Sequence, residues 1–193
     1  PQATQQDNSY KDNTPDSLDL AKTARPVAGS SRKGSNPVLF LVGDSTMRTG
    51  TRGNGDNGQW GWGYYAHEFF DEDRITVENH ALGGLSCRTF YRDWWPDVIK
   101  GVQKGDYVII QLGHNDSGPY DSPRGRSSIP GIGKETVTVD RGEQGKETVY
   151  SYGEYLRKFI DEVRAKEATP ILFTLTPRNQ WDSETVVKRK KDN

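Results

Sequence analysis

The sequence predicts an α/β fold with a central parallel sheet, and three observations carry the prediction. Val38-Leu39-Phe40-Leu41-Val42 and residues 107–112 are continuous apolar runs of strand length, the pattern of strands buried on both faces. Each run stops at a glycine, Gly43 and Gly113. Between and after them lie segments of helical spacing, most clearly Tyr155, Leu156, Phe159, Ile160 and Val163. Strands that alternate with helices are joined by right-handed crossovers into a parallel sheet.

The elements follow in order. Residues 1–36 are rich in Gln, Asn, Asp, Ser, Thr and Lys without apolar periodicity and read as a polar tail or linker. Leu18-Asp19-Leu20-Ala21 is long enough there for one helical turn. Residues 37–193 are assigned to the folded domain, with 38–42 as the first strand. A glycine-rich loop from Gly50 to Gly61 leads to residues 62–70, expected as a helix with Trp62 and Tyr65, at i and i+3, in the core. Ile75-Thr76-Val77 is expected as a short second strand, and Gly83-Gly84 marks a turn. Residues 94–102 are expected as a helix whose Pro96 suits its first turn. Residues 107–112 form the third strand, 151–166 the next helix and 170–175 the fourth strand. The intervening residues 117–150 are an insertion. Within it 135–140 and 146–150 alternate like a hairpin across Arg141-Gly142-Glu143-Gln144-Gly145, a candidate lip over the site.

Composition narrows the function. A chain of 193 residues with 32% hydrophobic content suits one domain with a modest core, and its 21 glycines and 10 prolines point to much loop and turn. No membrane span is expected, because the longest apolar run is residues 38–42 and a bilayer needs about 20 such residues. Lys plus Arg number 26 against 27 Asp plus Glu, so no nucleic-acid partner is expected. The single cysteine, Cys87, has no partner within the chain, reads as a small buried residue, and is compatible with a secreted or periplasmic location. The chain opens at Pro1 without an apolar leader, so any secretory signal is expected to have been removed already or never to have been present. Neither G-x-x-x-x-G-K-[ST] nor G-x-G-x-x-G follows the first strand, which argues against nucleotide binding.

Ligands of open α/β sheets bind beyond the carboxyl ends of the strands. Those ends read Gly43-Asp44-Ser45-Thr46, Ala81-Leu82-Gly83-Gly84-Leu85-Ser86 and Gly113-His114-Asn115-Asp116. A serine just past a strand can serve as a nucleophile, and a backbone N–H at a glycine turn and an asparagine amide can both donate to a tetrahedral oxyanion. Ester hydrolysis needs that set.

These blocks resemble the SGNH or GDSL-type hydrolases, and among them the rhamnogalacturonan acetylesterases. The resemblance rests on Gly43-Asp44-Ser45-Thr46-Met47, on Asn57-Gly58 with Trp62-Gly63 and Tyr65, and on Asn79 followed by Ala81 and Gly84-Leu85-Ser86-Cys87-Arg88-Thr89. It continues through Gly105-Asp106-Tyr107-Val108-Ile109-Ile110 into Gly113-His114-Asn115-Asp116, and more loosely through Thr148, Tyr155-Leu156 and Thr176-Pro177-Arg178-Asn179. It implies a flavodoxin-like three-layer α/β/α sandwich that removes acetyl groups from pectic polysaccharide without metal or cofactor. Ser45 would be the nucleophile, and the oxyanion would be met by the Ser45 N–H, the Gly84 N–H and the Asn115 amide. Asp44 would shape the nucleophile turn.

One block of that family is missing. Its base stands in an Asp-x-x-His block near the C-terminus, whereas Tyr64, Val77 and Gln111 stand three residues before His67, His80 and His114. All three histidines are expected to be structural. The family also continues with another strand and helix where this sequence closes in a basic run, Lys188-Arg189-Lys190-Lys191. Three readings follow: an N-terminal part of a longer protein, the favoured one; a fragment whose second polypeptide supplies the block; or a relative that binds glycan without cleaving it. Loss of a triad histidine costs about 10⁶ in turnover, so residues 37–193 alone are expected to be close to inactive.

Aromatic faces stack on sugar rings, and Trp60, Tyr120 and Trp181 lie in expected loops as substrate-binding candidates. Arg88 and Arg178 lie near strand ends, where a guanidinium could meet the carboxylate of a uronic acid. The expectation is a secreted or periplasmic carbohydrate esterase acting on acetylated polysaccharide by serine acyl transfer. The alternatives are a non-catalytic glycan-binding module, and a GDSL lipase or thioesterase, which would want a more apolar approach to Ser45.

Overall fold

The structure, a computed structural model, describes residues 26–50, 55, 58–122, 125–177 and 180–188. The expected helical turn at Leu18 to Ala21, Asn57, Arg178, Asn179 and the basic run beyond Lys188 lie outside the described residues.

Four strands, β1 (Val38–Gly43), β2 (Thr76–Asn79), β3 (Tyr107–Gln111) and, last in the chain, β6 (Thr169–Leu172), form one sheet in the order β2-β1-β3-β6. Every pairing is parallel. All six residues of β1 are buried, as its apolar sequence predicts for a central strand. The pleat sends Val38, Phe40 and Val42 into one cluster and Leu39 and Leu41 into another. Three helices cover the first face: α1 (Cys87–Asp93), α2 (Trp95–Gly101) and α3 (Tyr152–Ala165). Phe90 of α1 and Phe159 of α3 are fully buried there, each contributing roughly 1.5–3 kcal/mol. Phe159 sits edge-on to Trp95 at 4.9 Å. Helix α3 forms because its apolar stripe of Tyr155, Phe159 and Val163 is buried and the Ser151 hydroxyl accepts the Glu154 N–H at 3.0 Å.

The opposite face differs from the sequence expectation. Residues 62–70 form two 3-10 turns, Trp62–Tyr64 and Ala66–Phe69, rather than one helix. The Trp62 and Gly63 N–H groups donate to the Thr46 and Met47 carbonyls, both at 3.2 Å, which seats this segment on the loop after β1. Gly61 permits this approach, since a Cβ there would stand 2.5 Å from the Arg48 carbonyl oxygen. Tyr65 consequently points outward and is 42% exposed, not core; Trp62 is half-buried against Leu39, Leu41 and Met47.

Helix α1 is absent from the sequence reading, which placed the first helix of this region at Trp94. Ser86 and Thr89 cap it reciprocally: the Ser86 hydroxyl accepts the Thr89 N–H at 3.1 Å and the Thr89 hydroxyl accepts the Ser86 N–H at 2.9 Å. Pro96, which lacks an N–H, falls in the first turn of α2 and separates the two helices. Strand β6 ends at Leu172 rather than 175, and β2 runs on to Asn79.

The polar segment ahead of Pro37 is joined to the sheet in its described part. Arg32 donates bidentately to buried Asp106 at 2.7 Å, and Asp106 also accepts the Val38 N–H at 2.9 Å. The Gly29 and Ser31 N–H groups donate to Glu78 of β2, both at 2.8 Å. Burial pushes the Glu78 carboxyl up, but the hydrogen bonds from His80 and from these two N–H groups outweigh it and hold Glu78 below the ordinary value.

Between β3 and α3 the hairpin of β4 (Thr136–Asp140) and β5 (Lys146–Tyr150) forms with Val137 opposite Val149, as the alternation predicts. It is fastened to α1 by one carboxylate. Glu147 accepts from Arg88 at 2.8 and 2.7 Å and lies within 3.4 Å of the guanidinium nitrogens of Arg92 and Arg141. Substituting Glu147→Ala leaves Arg88 buried with only carbonyl acceptors, so urea denaturation is expected to register a loss of about 3 kcal/mol. A loss below about 1 kcal/mol, the size of an exposed pair, would contradict this account.

Candidate active site

The strand order sends the chain from β1 to β2 on one side and to β3 on the other, which makes the carboxyl end between β1 and β3 the topological switch point. Gly43 and Gln111 pair there as the last residues of the two strands. The chain then turns at once. Asp44 is buried, and its Oδ1 accepts the Thr46 N–H and hydroxyl, both at 2.9 Å, while its carbonyl accepts the Arg48 N–H at 2.9 Å. Asp44 therefore shapes the turn, and Ser45 is left half-exposed at its crest. The Ser45 hydroxyl has no hydrogen-bond partner among the described residues. Its carbonyl accepts the Gln59 side-chain amide at 2.6 Å, which ties the glycine-rich loop to the crest.

The segment after β2 crosses the end of β1. The His80 N–H donates to the Leu41 carbonyl at 2.9 Å and the Leu82 N–H to the Gly43 carbonyl at 3.1 Å. This delivers Gly83 against the nucleophile turn, where a Cβ on Gly83 would lie 3.8 Å from the Ser45 Cβ. Gly84 has φ +78°, a conformation that favours glycine. From the end of β3, Asn115 reaches the same segment and its side-chain amide donates to the Leu85 carbonyl at 2.9 Å. A primary amide carries two N–H donors, so one remains for a ligand. The structure thus brings Ser45, Gly84 and Asn115 to one rim.

Beneath the rim lies a buried polar layer. Asp116 accepts the Cys87 N–H at 3.0 Å and the Ser128 hydroxyl at 2.8 Å. Burial, with the Asp44 charge adding to it, pushes the Asp116 carboxyl up to about 6 against those hydrogen bonds. Burial also pushes the Cys87 thiol up, with Asp116 adding to it, so Cys87 is a protonated interior residue and no nucleophile. Gln111 accepts the Trp62 indole N–H at 2.7 Å and donates to the Thr174 carbonyl at 2.8 Å. The histidines occupy three separate settings. His114 Nε2 lies 2.9 Å from the Thr176 carbonyl and its Nδ1 3.9 Å from Asp44 Oδ2. His80 is buried with Nε2 2.9 Å from Glu78, and exposed His67 faces the Tyr64 carbonyl at 2.9 Å.

Of the residues expected to bind substrate, Trp60 is best placed. It is 55% exposed, follows Gln59 directly, and meets exposed Tyr64 at 5.3 Å and Tyr65 at 6.2 Å between ring centres. Tyr120 is borderline exposed on the loop whose carbonyl accepts Arg88. Trp181 is exposed and bridges to Val187. Arg88 is fully buried, with its guanidinium bonded to Glu147 and to the Tyr120 and Ser127 carbonyls, so it holds the hairpin and is withdrawn from any ligand. Sequence reasoning passed over Gln59 and Gln111. Only Gln111 carried a signal, as a polar side chain ending an apolar strand. Among the described residues no group of three His, Cys, Asp or Glu could hold a metal ion, and no helix is long and apolar enough to cross a membrane.

Residues 39–191 match the family described as GDSL-like lipase/acylhydrolase. A rhamnogalacturonan acetylesterase of Emericella nidulans is 36% identical over 150 residues, covering 77% of this chain and 56% of that protein. A probable rhamnogalacturonan acetylesterase of Bacillus subtilis, YesY, is 30% identical over 146 residues, covering 75% and 56%. Among solved structures, protein YxiM of Bacillus subtilis aligns with a TM-score of 0.53 at 26% identity, over 78% of this chain and 36% of that one. The chain spans about half the length of the curated relatives it matches.

The raised Asp116 value sets a pH dependence. A carboxyl whose value is higher in the folded state stabilises the fold when protonated, and that contribution is lost as pH rises through about 6. Asp116→Asn removes the ionisation, so its melting temperature relative to the unmodified protein is expected to improve steadily between pH 4 and pH 7. A constant offset across that range would contradict the assignment.

Proposed function

We propose, since the chain belongs to the GDSL-like lipase/acylhydrolase family, that it is the nucleophile-bearing part of a carbohydrate esterase that removes acetyl groups from a pectic polysaccharide. The observation that carries this reading is the crest at Ser45, where a half-exposed hydroxyl stands beside the Gly83-Gly84 turn and the Asn115 amide. The names of the relatives support the substrate class. The exposed Trp60, Tyr64 and Tyr65 rings beside the crest support a sugar as the alcohol part of the ester. A polysaccharide of that kind goes with a secreted or periplasmic site of action.

In this mechanism Ser45 Oγ attacks the acetyl carbonyl carbon as its proton passes to a base. The carbonyl oxygen gathers negative charge and is met by the Ser45 N–H, the Gly84 N–H and the remaining Asn115 N–H. Collapse breaks the bond to the sugar oxygen, which leaves with a proton, and water then hydrolyses the acetyl-Ser45 ester. The base is proposed to come from the Asp-x-x-His block of the family. None of His67, His80 and His114 forms that block, and the relatives extend well beyond the region matched.

The test is acetate release by the full-length protein from acetylated rhamnogalacturonan and from p-nitrophenyl acetate. Ser45→Ala is expected to abolish both, and Asn115→Ala to lower turnover on both by about 10²–10³. Trp60→Ala is expected to raise KM for the polysaccharide and to spare the small ester. Activity that survives Ser45→Ala would overturn the mechanism, and polysaccharide binding without acetate release would replace it with a glycan-binding role.

A further inference from the structure

Three segments meet at the rim, each from a different stretch of chain: the nucleophile turn after β1, the glycine turn after β2 and the 3-10 layer of Trp62 to Phe69. Two of the donors proposed for the oxyanion, the Ser45 and Gly84 N–H groups, belong to different turns, so the spacing between those turns sets the width of the anion site. Main-chain bonds from His80 and Leu82 to the Leu41 and Gly43 carbonyls bring the glycine turn to the end of β1. These bonds do not touch the far limb of the nucleophile turn, residues 46–48.

A side chain reaches that limb. Asn79, the last residue of β2, is half-buried. Its Oδ1 accepts the Ala81 N–H at 3.0 Å, in the segment that leads to the glycine turn, and its Nδ2 donates to the Met47 carbonyl at 3.2 Å. The same Met47 carbonyl accepts the Gly63 N–H at 3.2 Å, so one planar amide joins the glycine turn, the nucleophile turn and the 3-10 layer. The position calls for an acceptor and a donor at once, which a carboxamide supplies without charge. The space is matched to it: a Cβ on buried Gly63 would stand 2.6 Å from Asn79 Nδ2 and 2.7 Å from the Met47 carbonyl oxygen.

We propose that Asn79 is a positioning residue for ester hydrolysis, holding the Gly83-Gly84 turn and the Ser45 turn at the spacing the oxyanion requires. The assignment rests on the esterase reading of Ser45 and deepens it. Asn79 acts through the two turns and touches no reacting atom. A displacement of about 1 Å at such a site costs on the order of 10² in rate.

Steady-state kinetics of the full-length protein on p-nitrophenyl acetate, well below the melting temperature of each variant, test it. Asn79→Ala is expected to lower kcat by about 10² while KM stays within about twofold. Asn79→Asp keeps the acceptor for the Ala81 N–H and loses the donor to Met47, so its kcat is expected to fall between those of Asn79→Ala and the unmodified protein. Because it retains the bond within its own segment, it also serves where Asn79→Ala does not fold. Combined with Asn115→Ala, either variant is expected to give a loss smaller than the product of the single losses, since a displaced turn already wastes the Asn115 donor. Unchanged kcat in a folded variant would overturn the assignment. So would losses that multiply, or that fall on KM rather than kcat, the marks of a merely structural role; all of these leave the esterase reading standing. Activity that survives Ser45→Ala would remove that reading and this inference together.

Discussion

The burial of β1 on both faces is the constraint from which the site follows. A strand with Val38, Phe40 and Val42 under helices and Leu39 and Leu41 under the 3-10 layer has no free side along which to shift register. Its end is consequently a fixed point. The carbonyls of Leu41 and Gly43 take the crossing segment after β2, the Gly43 position pairs with the end of β3, and Asp44 closes the turn. The three rim residues come from separate stretches of sequence, and each is positioned by a bond to β1 or to a neighbour of β1.

The interior is unusually charged for its size. At 32% hydrophobic content the chain fills positions near the sheet with Glu78, Asp106, Asp116 and Arg88, all essentially buried. Buried polar and charged groups are tolerated when hydrogen-bonded, and each of these is: Glu78 with His80 and two N–H groups, Asp106 with Arg32, Asp116 with the Cys87 N–H and the Ser128 hydroxyl, Arg88 with Glu147. Apart from Glu78 with His80, each of these contacts joins residues distant in sequence. Glu78 and Asp106 draw in the segment ahead of β1, Asp116 aligns the start of α1 with the end of β3, and Glu147 fastens the hairpin. Polar contacts here position loops that apolar packing alone would leave unspecified.

The strands, the hairpin and the long helix were legible because their signals are local. Val38 to Val42, the alternation across Arg141 to Gly145, and the stripe from Tyr155 to Val163 each speak for themselves. The rim triple was legible because a parallel sheet gathers its strand ends on one edge. Two of the failures share one cause, a partner elsewhere in the chain. Residues 62–70 carry a helical aromatic pattern, but they fold as two 3-10 turns seated on the Thr46 and Met47 carbonyls. Arg88 reads as a guanidinium open to a uronic acid until Glu147, 59 residues on, meets it. Helix α1 escaped for another reason, since its capping box uses Thr89 where glutamate or glutamine is the usual signal.

The lone thiol has a use that its chemistry does not suggest. Cys87 is the chain's only cysteine, lies at the first position of α1, and is sealed from solvent with its thiol kept protonated. A sulfhydryl reagent can reach it only when the packing around the start of α1 opens. The residue is thus a built-in clock for breathing of this helix against the core, readable without adding a label to the surface.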